Sequence, residues 1–223
     1  MSTRRRHLWR ALLSLLPLLP IFSLPVFSAE TSALTYRRVF KSSLPEFIEI
    51  KLGDGGTGTY DIRQLNETPN PQPFEVGAPL REKIFELAAQ LNYFRDLQLD
   101  LRRRIANLGE KTFRYERGAE FHEVSFNYTI NAAANQLMQI FEGLARQQEH
   151  LVKLQRRMRY DRLGVNEALL QLEADLNRKI LPEPERLLPV LEQIANDPRV
   201  VEIARQRARL LAERIRNPRP RGR

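Results

Sequence analysis

Glu46–Leu65 reads EFIEIKLGDGGTGTYDIRQL. Ile48, Ile50 and Leu52 alternate onto one face, and Tyr60 and Ile62 do the same after the glycine-rich Gly53–Gly58 turn. Two alternating runs about such a turn predict a β-hairpin with one buried face. Upstream, Leu34–Lys41 (LTYRRVFK) alternates through Leu34, Tyr36, Arg38 and Phe40 and reads as a further strand. Downstream, Pro69, Pro71 and Pro73 make Asn66–Gly77 a loop. Pro79 then opens a helix on which Leu80, Ile84, Leu87, Ala88 and Leu91 recur at helical spacing. A short helix is expected over Asp100–Leu108, ending at Gly109.

The pattern returns in Lys111–Glu116 (KTFRYE) and Phe121–Thr129 (FHEVSFNYT), two alternating strands about a charged turn, with Asn131 placed to cap the next helix. A hairpin followed by a helix occurs twice, so the fold class is α+β: an antiparallel sheet with helices on one face, over 29–131. A helical region, 132–216, follows. Leu137, Leu144, Leu151 and Met158 are spaced by seven, with Ile140, Gln147 and Leu154 between them. Such a seam needs a helix against it. Either the chain breaks at Gly164 and folds back, so that Val165, Leu169, Leu172 and Leu176 supply the second seam, or it runs on and pairs with a second copy through Leu137, Leu144, Leu151 and Met158 as a homodimer. A helix over Glu185–Ala195 comes next, and Asp197-Pro198 reads as the start of a last helix that buries Val200, Ala204, Ala208, Leu211 and Ile215.

The chain has 223 residues, 36 Lys and Arg against 27 Asp and Glu, and no cysteine. The missing cysteines exclude disulfide scaffolds, Cys-based metal sites and thiol nucleophiles. The net charge of +9 would ordinarily suggest nucleic acid. Its distribution argues otherwise. Arg4, Arg5, Arg6 and Arg10 precede a leucine-rich apolar run to Val26 that holds three prolines, the layout of a cleaved signal peptide over 1–28, with cleavage after Ala33 as the alternative. Removing Met1–Ser28 leaves +5. Arg199–Arg223 carries nine arginines and two glutamates, so the body between is slightly acidic. An exported protein, periplasmic or extracellular, without a retained membrane helix is expected, and no nucleic-acid partner.

The candidate sites are few. Gly53–Gly58 precedes a strand and lacks the Lys-Ser/Thr ending of a phosphate loop. His122 and Glu123 point to opposite faces of a strand. His150 shares a helix face with Glu142 and Arg146 and reads as part of a solvated ion-pair row. No cofactor, metal or catalytic residue is nominated. The unbalanced chemistry lies on the last helix and on the tail over 217–223, which is expected to be disordered: Arg205, Arg207, Arg209, Arg214, Arg216, Arg219, Arg221 and Arg223 form a candidate surface for an anionic partner, such as lipid headgroups, phosphorylated envelope polymers or an acidic protein face.

The order of elements over Leu34–Gln148, with alternating strands, the Leu80–Phe94 helix bearing Ala88-Ala89, a hairpin with a charged turn and a last helix, resembles emfourin-type inhibitors, which are associated with protealysin-like metalloproteases. The chain departs from them in its signal sequence, its internal Asp100–Leu108 helix and its long helical extension, so no inhibitory residue is carried over. The resemblance implies an interaction function. A secreted or periplasmic, non-catalytic, inhibitor-like interaction protein with an unknown partner is the expectation, with a hydrolase of unassigned carboxylates or an envelope-surface binder through the Arg-rich C-terminal helix as alternatives.

Overall fold

A computed structural model describes residues 31–101 and 105–218. Met1–Ser28, expected as a signal peptide, and the tail arginines Arg219, Arg221 and Arg223 lie outside the described residues. Six strands form one antiparallel sheet in the order β4-β3-β2-β1-β5-β6. They are β1 (Ser32–Val39), β2 (Phe47–Gly53), β3 (Thr57–Arg63), β4 (Gln72–Glu75), β5 (Glu110–Arg117) and β6 (Glu120–Phe126). The helices are α1 (Ala78–Gln90), α2 (Ala132–Tyr160), α3 (Val165–Arg178), α4 (Leu188–Asn196) and α5 (Glu202–Arg216).

Register explains why one face of the sheet is apolar. Leu34 lies opposite Leu52 and Tyr115, Tyr36 opposite Ile50 and Phe113, and Phe113 opposite Val124. The period-two alternation puts all of these on one side, where Ile84, Leu87 and Ala88 of α1 and Leu137, Phe141 and Leu144 of α2 cover them. The other face holds ion pairs such as Lys51–Glu116 and Arg114–Glu123.

The proline-rich segment expected as loop contains β4. Proline is admissible there because β4 is the sheet edge, where a missing ladder N–H costs little. Phe74 of β4 packs edge-on against Tyr60. Gly58 lies opposite Phe74, and a Cβ at Gly58 would stand 2.8 Å from the Phe74 ring and 2.3 Å from the Lys51 carbonyl oxygen. Only glycine fits that approach.

The helix expected over Asp100–Leu108 is absent among its described residues, 100–101 and 105–108, which are irregular. Side-chain bonds to the end of β6 hold the segment instead. Asp100 Oδ1 accepts from the Asn127 and Tyr128 amides. Asn127 accepts from the Leu108 amide and donates to the Ala106 carbonyl. Lys111, buried on β5, donates its ammonium to the carbonyls of Leu108, Gly109 and Asn127. Burial pushes its pKa down.

Asn131 caps α2 as expected, its side chain accepting from the Ala134 amide at 3.0 Å. The chain does break near Gly164: α2 ends at Tyr160, and a single 3₁₀ turn at Arg162–Gly164 leads into α3, which packs back on α2. Asp161 caps that turn by accepting from the Gly164 amide. Leu137 and Leu144 of the leucine seam are covered by the sheet, whereas Leu151, Leu154 and Met158 pack with α3, α4 and α5 in a second core. One helix therefore serves two cores. The last helix starts later than Asp197-Pro198 predicts, at Glu202. Asp197 is spent on Arg199 instead, accepting from its amide and its guanidinium. Val200, Ala204, Ala208, Leu211 and Ile215 are buried as the spacing predicts.

Candidate functional site

The middle of α2, where one core gives way to the other, is polar and buried. Gln147, Gln148, His150 and, from α3, Asp175 are all shielded from solvent. Asp175 accepts from Arg146 Nε at 2.6 Å, from His150 Nε2 at 2.7 Å and from the Arg178 guanidinium. Gln147 Oε1 accepts from the Glu183 amide, and Glu183 Oε1 accepts from the Gly77 amide ahead of α1. These bonds tie α1, α2, α3 and the α3–α4 connection together at one level. Gly143 lets that connection cross closely, because a Cβ there would meet the Ile180 carbonyl oxygen at 2.4 Å.

His150 was expected in a solvated row with Glu142 and Arg146. It is instead 3 % exposed and bonded to Asp175. Glu142 serves the sheet, accepting from the Tyr36 hydroxyl at 2.8 Å and from Arg38 at 3.3 Å. Burial raises the Tyr36 phenol, and the Glu142 charge adds to the shift. The sequence did hold a signal for Asp175. It falls at the register of Ala168 and Leu172 on the apolar face of α3, where an acid requires donors from another element.

Burial lowers the His150 pKa, and Arg146 adds to that, outweighing the pull of Asp175. Two guanidiniums already neutralise Asp175, so the imidazole stays neutral and donates Nε2–H. The unfolded chain protonates this residue near pH 6.5 while the folded chain does not. Stability is therefore complete above that pH and declines as pH falls below it, until the depressed folded pKa is passed. Urea midpoints taken at pH 7.5 and pH 5.5 should fall on acidification in the native chain, and the fall should shrink in His150→Gln (pH values chosen to bracket ~6.5). An unchanged slope in that variant would remove His150 from the account.

Outside this belt, α2 continues past the edge of the sheet and leaves a cleft of about 970 Å³ between β3 with its following loop and the outer half of the helix. Tyr60 and Ile62 stand on one wall, Val152 and Tyr160 on the other. β4 pairs with β3 only over Thr57–Tyr60, so Asp61–Arg63 form a strand edge without a β4 partner. Most charges in the cleft are matched. Arg63 Nε donates to Asp61 at 2.9 Å and its guanidinium lies 4.3 Å from the Phe47 ring centroid. Arg157 pairs with Asp161 and Lys153 donates to Gln171. Glu149 is raised by burial, against the pull of its partner Arg146.

The described arginines singled out from sequence are brought onto α5, but each is bonded within the chain. Arg205 and Arg209 meet Glu202, and Arg209 also donates to the Ala195 carbonyl. Arg207 pairs with Glu173 at 2.8 Å and bonds Asn166, Arg214 bonds Asn177, and Arg216 pairs with Glu192. The sequence shows the arginines but not the acids that α3 and α4 bring beside them.

Among the described residues no group of three or more His, Asp or Glu could hold a metal ion, and no helix is long and apolar enough to cross a membrane. The chain matches no family model and no curated protein sequence.

Proposed function

We propose that this chain is an exported, non-catalytic interaction protein that receives a segment of a protein partner in the cleft between β3 and the outer half of α2. The observation that carries the reading is the cleft itself. It joins the exposed Val152 and Tyr160 and the half-buried Tyr60 and Ile62 to a strand edge without a β4 partner, and most of its charged groups are engaged with one another. Such a surface offers burial and backbone pairing to a partner. It offers little to a reacting group, which needs an acid or base free to move a proton.

A hydrolase has one observation in its favour: Glu149, raised by burial, shares the cleft with Asp61. Each is held by an arginine, Arg146 and Arg63 respectively, so neither is free for proton transfer.

The position of β1 distinguishes the two candidate cleavage sites. Cleavage after Ser28 leaves the sheet whole. Cleavage after Ala33 would remove Ser32, whose amide and hydroxyl both donate to Asp54, and would take Ala33 from its pairing with Gly53. N-terminal sequencing of the protein recovered from its host should therefore begin at Ala29, in the envelope or medium fraction. An intact Met1 in the cytosolic fraction would overturn the export reading.

A further inference from the structure

The tip of the α2–α3 hairpin differs in charge from two other described surfaces rich in cations. The arginines of α5 are bonded within the chain. The hollow beside Arg38 and Lys179 holds Glu142 and Glu149 against its cations. At the tip, Arg156, Arg159 and Arg162 form no ion pair among the described residues. Asp161 and Asp197 beside them are already taken: Asp161 by Arg157, and Asp197 by a two-oxygen bond from Arg199 that lowers the pKa of its carboxyl to about 2. Arg162 adds only its field to Asp197, and its Nε is buried without a partner. Four arginines and one carboxylate thus line a hollow of about 740 Å³.

Large apolar side chains stand beside these cations. Tyr160 is 75 % exposed and Leu163 is 79 % exposed, at the end of α2 and in the 3₁₀ turn that follows. Neither is needed by either core. A turn that offers a tyrosine and a leucine at its end, with guanidiniums around them, has the chemistry of an interfacial anchor. The apolar groups enter the boundary between headgroups and acyl chains while the cations meet phosphates.

We infer that this tip docks on an anionic lipid surface, with Arg156, Arg159 and Arg162 on headgroup phosphates and Tyr160 and Leu163 inserted between them. An acidic protein or a nucleic acid would use the arginines and leave Leu163 without a role. The tip shares Arg156 and Tyr160 with the cleft, whereas Arg159, Arg162 and Leu163 lie outside the cleft lining, so substitutions at those three test the docking separately from what the cleft receives.

Co-sedimentation of the protein purified from its host tests this, with vesicles of phosphatidylcholine alone and mixed with phosphatidylglycerol. Binding is expected on the mixed vesicles only, and it should weaken as salt screens the arginines. Replacing Arg159→Glu and Arg162→Glu together should reduce partitioning about 25-fold or more, taking roughly five-fold for each arginine charge near the surface. Leu163→Asp should also reduce it several-fold with the melting temperature unchanged, and Arg159→Lys with Arg162→Lys should retain it. No binding to the mixed vesicles at low salt would overturn the inference. So would binding that survives both the glutamate pair and Leu163→Asp. Loss with the glutamates but not with Leu163→Asp would reassign the arginines to a soluble anionic partner, and displacement of the vesicles by duplex DNA would reassign them to nucleic acid.

Discussion

Replacing Phe113 by alanine should cost about 4 kcal/mol of folding stability, the usual loss for a phenylalanine removed from a close-packed core. Phe113 is fully buried on β5, at the centre of an aromatic group. Its ring centroid lies 5.3 Å from that of Phe94, 5.4 Å from Phe126, 5.6 Å from Tyr36 and 6.5 Å from Phe141. These rings come from the turn after α1, from β6, from β1 and from α2, so no single element can move to fill the space. Phe94 reaches the group through an unusual turn, with Asn92, Tyr93 and Phe94 all at positive φ. The stacking of Phe94 on Phe113 helps to offset that backbone cost. A lowering of the melting temperature by roughly 10 °C follows for a chain of this size. A loss below about 1 kcal/mol would mean that the core collapses around the gap and that the aromatic group is not the centre of the fold.

Asp175→Ala acts on the other core boundary. Removing a buried carboxylate leaves its donors unpaired, at a cost of about 3–5 kcal/mol when all of them are buried. Here the donors differ. The Arg146 and Arg178 side chains are 43 % and 64 % exposed and can turn to water, whereas His150 cannot. The lower end, about 3 kcal/mol, is therefore expected. Asp175→Asn should cost less, since an amide oxygen still accepts from the imidazole. The Asp175 carboxyl is itself held below the ordinary range, because hydrogen bonds from Arg146, His150 and Arg178 outweigh its burial. Its contribution is present above the unfolded value near 3.9 and is lost as pH falls below that. Urea denaturation of both variants at pH 7 checks the order (a neutral pH where ~3.9 and ~6.5 groups are both deprotonated in the unfolded chain). An alanine variant as stable as the native chain would show that the buried cluster adds nothing to the joint between the cores.

The strands were legible because their pattern reports a face rather than a partner: Ile48, Ile50 and Leu52 had to lie together whatever covered them. β4 was not legible, because Pro73 within it and Pro69 and Pro71 before it hide a strand that needs its N–H groups on one side only, and only the sheet order makes it an edge. The helix expected over Asp100–Leu108, absent among its described residues, had acceptable local propensity, but Asn127, across the turn in space, bonds the Leu108 amide and the Ala106 carbonyl. The Asp197-Pro198 start failed in the same way, since Arg199 captured the capping carboxylate. At the sites, side-chain charge was readable and its compensation was not. The arginines of α5 looked unbalanced until Glu173 and Glu192 came beside Arg207 and Arg216. Arg156, Arg159 and Arg162, less conspicuous in the sequence, pair with no carboxylate among the described residues.

Site-specific photo-cross-linking in the native host bears most directly on the cleft as the place where a partner sits. A photoreactive residue at Thr68, on the lip of the cleft, should yield a discrete heavier species containing one partner. The same residue at Thr59, exposed on the opposite face of the sheet, should yield none. Equal adducts from both positions, or an adduct from Thr59 alone, would contradict the account and move the contact surface to the far side of the sheet.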